Sequence, residues 1–113
     1  MVSEKSISVN RMTFLNQGKM DYGEKLDLFL RYEHTRFFDS EGYSIHHFVD
    51  NKGHKISFYG TTKASPIFMN DIEVGDCVEV LCKFAKYISL RNGDEITQVN
   101  YVKIMTNKGK KSP

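Results

Sequence analysis

The side chains best suited to chemistry in this sequence of 113 residues lie between Tyr43 and Tyr59. Seven rings fall in this short segment, namely Tyr43, His46, His47, Phe48, His54, Phe58 and Tyr59. An exposed ring can stack on a nucleobase, and a nearby lysine or arginine can meet a phosphate. A half-buried sheet cannot cover all of these rings, so we expect some aromatic surface to stay in solvent beside Lys52, His54 and Lys55.

Metal binding and catalysis have weaker support in the sequence. His46 and His47 are adjacent, so they face opposite ways in a strand. Cys77 and Cys82 do not have the short Cys-Cys spacing of zinc sites. The sequence contains no nucleophile elbow, P-loop or HExxH motif. We therefore predict a protein that is not an enzyme and that holds no metal and no cofactor.

The ring-rich segment is predicted to be a β-hairpin. Tyr43 to Val49 and Lys55 to Tyr59 are rich in aromatic and β-branched residues, and Asn51 and Gly53 in the connection tolerate positive φ. Successive strand residues point to opposite faces. Tyr43 and His47 therefore share one face of the second strand, and Lys55 and Tyr59 share one face of the third if its pleat is regular. Phe48 and Phe58 are expected in the core.

Three further strands position this hairpin. Lys25 to Phe38 is predicted to be one strand, whose fourteen residues exceed the usual length and therefore indicate a bend or bulge. Cys77 to Leu90 and Glu95 to Met105 alternate in polarity around the turn signal Asn92-Gly93. Residues 61–71 around Pro66 are predicted to form a loop or a short helix.

Length and composition predict a single domain. Residues 1–24 are an uncertain N-terminal segment and a candidate for an added strand, residues 25–106 form the domain, and residues 107–113 are predicted to be a flexible basic tail. No apolar run approaches the roughly 20 residues needed to span a membrane, and the N-terminus lacks a signal-peptide pattern. Two cysteines without a disulfide pattern favour a reducing, cytoplasmic location.

The order of the predicted elements favours a particular fold. Three strands, a loop or helix and two more strands form the order of an OB-fold, a small, partly open Greek-key barrel. We therefore predict an all-β, five-stranded OB-fold-like antiparallel barrel with a short helix or loop between strands 3 and 4. An SH3-like barrel and a small sandwich are the alternatives.

Residues 25–105 resemble the small OB-fold single-stranded-DNA-binding proteins of bacteria, phages and mobile elements. The resemblance rests on the hairpin HHFVDNKGHKISFY, the turn Ile72-Glu73-Val74-Gly75-Asp76 and the final hairpin KYISLRNGDEITQVNYVKI. It implies a non-catalytic protein that binds single-stranded DNA in replication or maintenance of a phage or mobile element, with replication proteins such as a helicase or polymerase as further partners. The sequence departs from the bacterial housekeeping members because it has no acidic C-terminal tip.

In an OB-fold the ligand crosses strands 2 and 3 and the loops that join strands 1–2 and 4–5. The candidate binding residues in that zone and in the tail are Arg36, Tyr43, His47, Lys55, Tyr59, Lys86, Tyr87, Arg91, Tyr101, Lys108, Lys110 and Lys111. The lysines of the tail are expected to add affinity for phosphate that does not depend on sequence. Two other functions remain open: a protein-interaction module or accessory subunit that docks on a helicase or polymerase, and an RNA-binding module.

Overall fold

The computed structural model describes residues 14–38, 40–61 and 71–110. A short 3-10 helix, Leu15–Gly18, precedes five strands. These are β1 (Lys25–Phe38), β2 (Tyr43–Asp50), β3 (Lys55–Thr61), β4 (Cys77–Ser89) and β5 (Glu95–Asn107). Residues 62–70, which include Pro66, were predicted to be a loop or short helix and lie outside the described residues. Within the described ranges, no helix is long and apolar enough to cross a membrane.

The five strands close into a barrel in the order β1-β2-β3-β5-β4. This confirms the predicted all-β, OB-fold-like barrel. One pairing differs from the expectation of an antiparallel barrel, because β3 and β5 run parallel while every other neighbouring pair of strands is antiparallel. The reason is that a closed ring of five strands has five neighbouring pairs, and an odd number of pairs cannot all be antiparallel, so one pair must run parallel.

The length of β1 lets it take part in two pairings. Its first half, from Lys25 to Arg31, pairs with β4, and its second half, from Leu30 to Phe38, pairs with β2. The register against β2 shifts between Tyr32 and His34, which confirms the predicted bulge. A bulge bends a strand and increases its twist, so this single strand can turn the corner of the barrel.

The inner faces of the strands form one core. Phe48 and Phe58 are almost fully buried, as predicted, and their ring centroids lie 5.7 Å apart. Leu30, Val78 and Val80 pack in the same cluster. Because side chains alternate along a strand, burial of Phe48 also determines that Tyr43 and His47 point outward.

Turn chemistry fixes the register of the hairpin that joins β2 and β3. The Asp50 carboxylate accepts hydrogen bonds from the backbone N–H groups of Lys52 and His54, at 2.9 and 2.8 Å. Gly53 has φ +90°, a conformation that suits glycine. The β4–β5 turn uses Gly93 in the same way, with φ +93°. Both turns lie where the sequence predicts them.

The folded unit begins before Lys25. The backbone N–H of Leu15 donates to the Thr97 hydroxyl at 2.9 Å, and that of Phe14 donates to the Glu95 carboxylate at 3.3 Å. Leu15–Gly18 form the 3-10 helix at this point. Residues 14–24, which precede the predicted domain boundary, therefore pack against the barrel. Of residues 1–24, the candidate for an added strand, the described part from residue 14 contains no strand, and residues 1–13 lie outside the described residues.

Residues 107–110, the first part of the segment that the sequence predicts to be a flexible basic tail, are bonded to the barrel. Strand β5 extends to Asn107, and the next residues pair with the start of β4. Cys77 donates its N–H to the Gly109 carbonyl at 2.6 Å, and Lys108 donates to the Cys77 carbonyl at 2.8 Å. Lys110 adds ion pairs with Glu73 at 2.9 Å and with Asp76 at 3.1 Å. Partners that are distant in sequence thus hold the chain as far as Lys110.

Both cysteines are buried and free. Burial, with a further contribution from Asp27, raises the pKa of the Cys82 thiol to about 12. A thiol of this kind stays protonated at neutral pH and is a poor nucleophile.

Candidate nucleic-acid interface

The register of β2 and β3 assembles an outward face from the predicted residues. Ile45 lies opposite Tyr59, and Val49 lies opposite Lys55. Because these positions have the same parity as Tyr43, all of them point away from the core. The hypothesis that Tyr43, His47, Lys55 and Tyr59 share a side is therefore consistent with the observed pairing.

Three aromatic rings follow one another across this face, and we call Phe38, Tyr43 and Tyr59 the ring row. The Tyr43 and Tyr59 rings are nearly parallel, with centroids 5.4 Å apart and an interplanar angle of 6°. Phe38 continues the row from β1, with its centroid 4.9 Å from that of Tyr43. Tyr59 is 51% exposed. The outer end of the row therefore offers an aromatic surface to solvent.

Arg36 lies at the opposite end of the ring row. Its guanidinium carbon is 5.5 Å from the centroid of the Phe38 ring, which is cation–π geometry. Across the described ranges of the chain, no acidic side chain pairs with Arg36. Its charge is thus positioned by a ring and remains available to a phosphate.

A groove of about 440 Å³ runs between β1, β2, β3 and the β4–β5 turn. The residues that line it are Arg31, Glu33, His34, Arg36, His47, Phe48, Val49, Lys55, Leu90, Asn92, Asp94 and Ile96. We call this the strand 2–3 groove. Its lining combines apolar side chains such as Phe48 and Ile96 with charged ones, a combination that suits a ligand with flat apolar groups and an ionic backbone.

The cations at the rim of the strand 2–3 groove are only partly free. The Lys55 ammonium lies 2.6 Å from the Asp94 carboxylate, and its hydrogen bond holds the pKa of Asp94 below the usual value. Arg31 pairs with Glu33 at 3.3 Å. The groove is therefore not a strong anion site by charge alone, and rings must supply much of its affinity.

His47 forms a polar contact point in the groove. Its ring stacks on His34, with centroids 4.5 Å apart and planes 16° from parallel. Burial lowers its pKa to about 4, and electrostatic interactions with His34, Arg36 and Lys55 act in the same direction. The ring is therefore neutral at pH 7. Its Nε2 atom is buried and has no hydrogen-bond partner within the part of the chain that is described, so a ligand atom in the groove would complete it.

His46 points the other way and has a structural role. Its Nδ1 lies 2.7 Å from the Thr35 hydroxyl, which in turn bonds to the Tyr32 hydroxyl. Burial, and then the neighbouring charge of His47, lower the pKa of His46 to about 4. The two adjacent histidines thus serve opposite faces of β2, as the sequence predicts.

Tyr87 is not part of this face. Its ring packs between Phe14 and Phe84, with both centroids 4.5 Å away. Its hydroxyl donates to the Leu15 carbonyl at 2.9 Å and accepts from the Met20 N–H at 3.0 Å. The structure therefore uses Tyr87 to attach the N-terminal segment to the barrel.

The remaining predicted residues lie at several places. Arg91 is exposed in the β4–β5 turn, between two residues that line the groove, and Lys86 is exposed on β4. Tyr101 is on a separate surface formed by β1, β4 and β5. Lys108 is exposed near the start of β4, and Lys111 lies outside the described residues.

Lys110 also lies near the start of β4, where ion pairs occupy its charge. The hydrogen bonds that it donates to the Glu73 and Asp76 carboxylates raise the pKa of this ammonium. It is thus less available to a phosphate than a free tail lysine would be.

Sequence reasoning missed one residue of the ring row and one residue of the strand 2–3 groove. Phe38 and His34 come from the second half of β1, and pairing with β2 places them beside Tyr43 and His47. The bulge after Tyr32 decides which β1 side chains reach this face, and its position cannot be read from alternation alone.

The described residues contain no group of three His, Cys, Asp or Glu side chains arranged to hold a metal ion. No protein-family model, curated protein or solved structure matches this chain. A functional assignment therefore rests on the geometry of the ring row and the strand 2–3 groove.

Proposed function

We propose that this protein binds single-stranded DNA, with little sequence preference and without catalysis, across the ring row and the strand 2–3 groove. The observation that carries this proposal is the nearly parallel Tyr43–Tyr59 ring pair, of which Tyr59 is 51% exposed, beside a groove lined by charged side chains. An unstacked base has two apolar faces that a ring can cover, whereas the bases of a duplex are already stacked on each other.

Stacking explains why little sequence preference is expected. Every base presents a π-face, and each base–ring contact contributes roughly 1–3 kcal/mol. The phosphates would contact Arg36, whose guanidinium lies over the Phe38 ring. They would also contact Lys55, which would give up its ion pair with Asp94. His47 Nε2 would meet a polar atom of a base or sugar.

The likeness of the hairpin and turn motifs to small OB-fold single-stranded-DNA-binding proteins supports the same proposal. It extends the proposal to replication or maintenance of a phage or mobile element, in a cytoplasmic setting. A helicase or polymerase would then be a natural partner of the protein–DNA complex.

The decisive experiment measures Tyr59→Ala and Tyr59→Phe against the parent, with fluorescent oligo-dT titrations and thermal melts. Tyr59→Ala should lose roughly 1–3 kcal/mol of binding, which is a drop of about 5- to 150-fold in affinity. Tyr59→Phe keeps the ring and should lose far less. Because Tyr59 is half exposed, its truncation should leave the melting temperature nearly unchanged.

Two further kinds of measurement, of ligand preference and of salt dependence, test the proposal. Duplex DNA should bind more weakly than oligo-dT, and an RNA oligonucleotide of equal length tests the alternative ligand. Arg36→Gln should lower the slope of log affinity against log salt by about one, and Lys55→Gln by less because Asp94 already holds that charge. A folded Tyr59→Ala protein that binds oligo-dT as tightly as the parent would refute the proposal and favour a protein-docking face.

A further inference from the structure

A second aromatic and basic surface lies on the other half of the barrel. It is a shallow depression of about 260 Å³ on β1, β4 and β5, lined by Lys25, Leu26, Leu81, Cys82, Lys83, Tyr101 and Lys103. We call it the Tyr101 surface. None of these residues lines the strand 2–3 groove.

Tyr101 is held outward by an irregular backbone. It is 75% exposed, and its φ of +51° lies in the left-handed region that a bulky residue rarely adopts. The β4–β5 register shifts at this point, since Leu81 pairs with Lys103 but Lys83 pairs with Asn100. A bulge of this kind changes the direction in which a side chain points. Here it places the Tyr101 ring in solvent, where the ring adds no buried surface to the fold.

Lysines surround this ring. The Lys83 ammonium is 5.3 Å from the centroid of the Tyr101 ring. Lys25 pairs with Lys83 across β1 and β4, and Lys103 pairs with Leu81 across β4 and β5. None of the three lysines has an ion-pair partner among the residues that the structure describes. The acid nearest in register is Asp27, which lies opposite Leu81. The surface therefore has a net positive charge and an exposed ring.

We propose that the Tyr101 surface is a second contact site for the bound single strand, where one base stacks on Tyr101 and the three lysines meet phosphates. This inference rests on the proposed function. The charge complementarity favours a polyanion as the occupant, and the exposed ring favours one with unstacked bases. Strand β1 connects the two surfaces, because Lys25 lines one and Arg31 lines the other. Six residues of strand span about 20 Å, so one oligonucleotide of moderate length can reach both.

The test compares a short oligo-dT of about 5 nucleotides with a long one of about 16, which bracket the site sizes of single OB-folds. Tyr101→Asn removes the ring but keeps a residue that tolerates positive φ, so the variant should melt no earlier than the parent. The long oligonucleotide should bind about 5- to 150-fold more weakly to this variant. The affinity for the short oligonucleotide should change by no more than about twofold, because the ring row is intact. Loss of a stacking contact would lower that affinity by far more than twofold. Tyr101→Phe should bind both oligonucleotides like the parent.

A charge variant gives an independent measurement. Replacing Lys83 and Lys103 together with Gln should lower the salt slope for the long oligonucleotide by about two. Lys19→Gln is the matched control, because Lys19 is an exposed lysine that lines neither surface. Its salt slope should equal that of the parent.

The outcomes separate the two proposals. A loss in Tyr59→Ala with no loss in Tyr101→Asn or in the double Gln variant overturns the second contact site alone. Unchanged binding in Tyr59→Ala with a loss in Tyr101→Asn overturns the proposed location of the main site and leaves the Tyr101 surface standing. A parent protein that binds neither oligonucleotide overturns both.

Discussion

Acidification from pH 7 to pH 5 should destabilise this protein through His46 and His47. Burial lowers the pKa of both rings from 6.5 to about 4. As the pH falls below 6.5, histidines of the unfolded chain take up protons while the folded ones remain neutral. The unfolded state then binds more protons, so the free energy of unfolding falls as the pH is lowered from 6.5 to about 4. Above pH 6.5 these two rings contribute little pH dependence.

The magnitude follows from the same values. Each pH unit inside the window costs about 1.4 kcal/mol per ring, so His46, which has no exposed surface, should cost about 2 kcal/mol at pH 5. His47 opens to the groove, and solvent screening reduces its share to about 1 kcal/mol. A total of about 3 kcal/mol corresponds to a fall in melting temperature of roughly 10–15 °C for a domain of this size.

The assay is a series of thermal melts at constant ionic strength between pH 7.5 and pH 5. His47→Gln should flatten the pH dependence by roughly a third. Carboxylates such as Asp76, whose pKa is lowered chiefly by the Glu73 N–H, act below about pH 4 and lie outside the window. A parent melting temperature equal at pH 7 and pH 5 would refute the reasoning.

Two other predictions concern the chain ends. Tyr87→Phe leaves the Leu15 carbonyl and Met20 N–H unpaired, so it should cost about 1–3 kcal/mol of stability. Oligo-dT affinity should stay at the parent value, and a loss of affinity without a loss of stability would place Tyr87 at the ligand. Removing residues 107–113 should lower the melting temperature as well as the salt slope, since several bonds to β4 are lost. Truncation after Lys110 keeps those bonds and should melt like the parent; an early melt there would show that residues 111–113 contribute to the fold.

Local signals determined the strands and the hairpins. Alternation of polarity gave β1 its observed bounds and placed Phe48 inside and Tyr43 outside, because successive side chains of a strand must face opposite ways. Turn residues determined where two hairpins close, since Gly53 and Gly93 adopt the positive φ that those turns require. Period and turn chemistry involve neighbours in sequence and can be read without a structure.

Only part of the candidate site could be predicted from these local signals. Tyr43, His47, Lys55 and Tyr59 lie on one predicted hairpin, and their common face follows from its register. Phe38 and His34 join them only because of the bulge in β1. Tyr87 was a reasonable candidate by residue type, yet contacts with Phe14 and Leu15 occupy both its ring and its hydroxyl.

Only the tertiary structure decided what depends on segments far apart in the chain. Two such features join partners that are dozens of residues apart: the parallel pairing of β3 with β5 and the bonding of residues 107–110 to the start of β4. A third, the bulge that exposes Tyr101, depends on the exact register of β4 and β5. The lowered pKa of His47 likewise reflects burial together with charges from β1 and β3. A sequence pattern reflects interactions between residues that are close along the chain. Closure of the barrel determines which distant residues become neighbours in space.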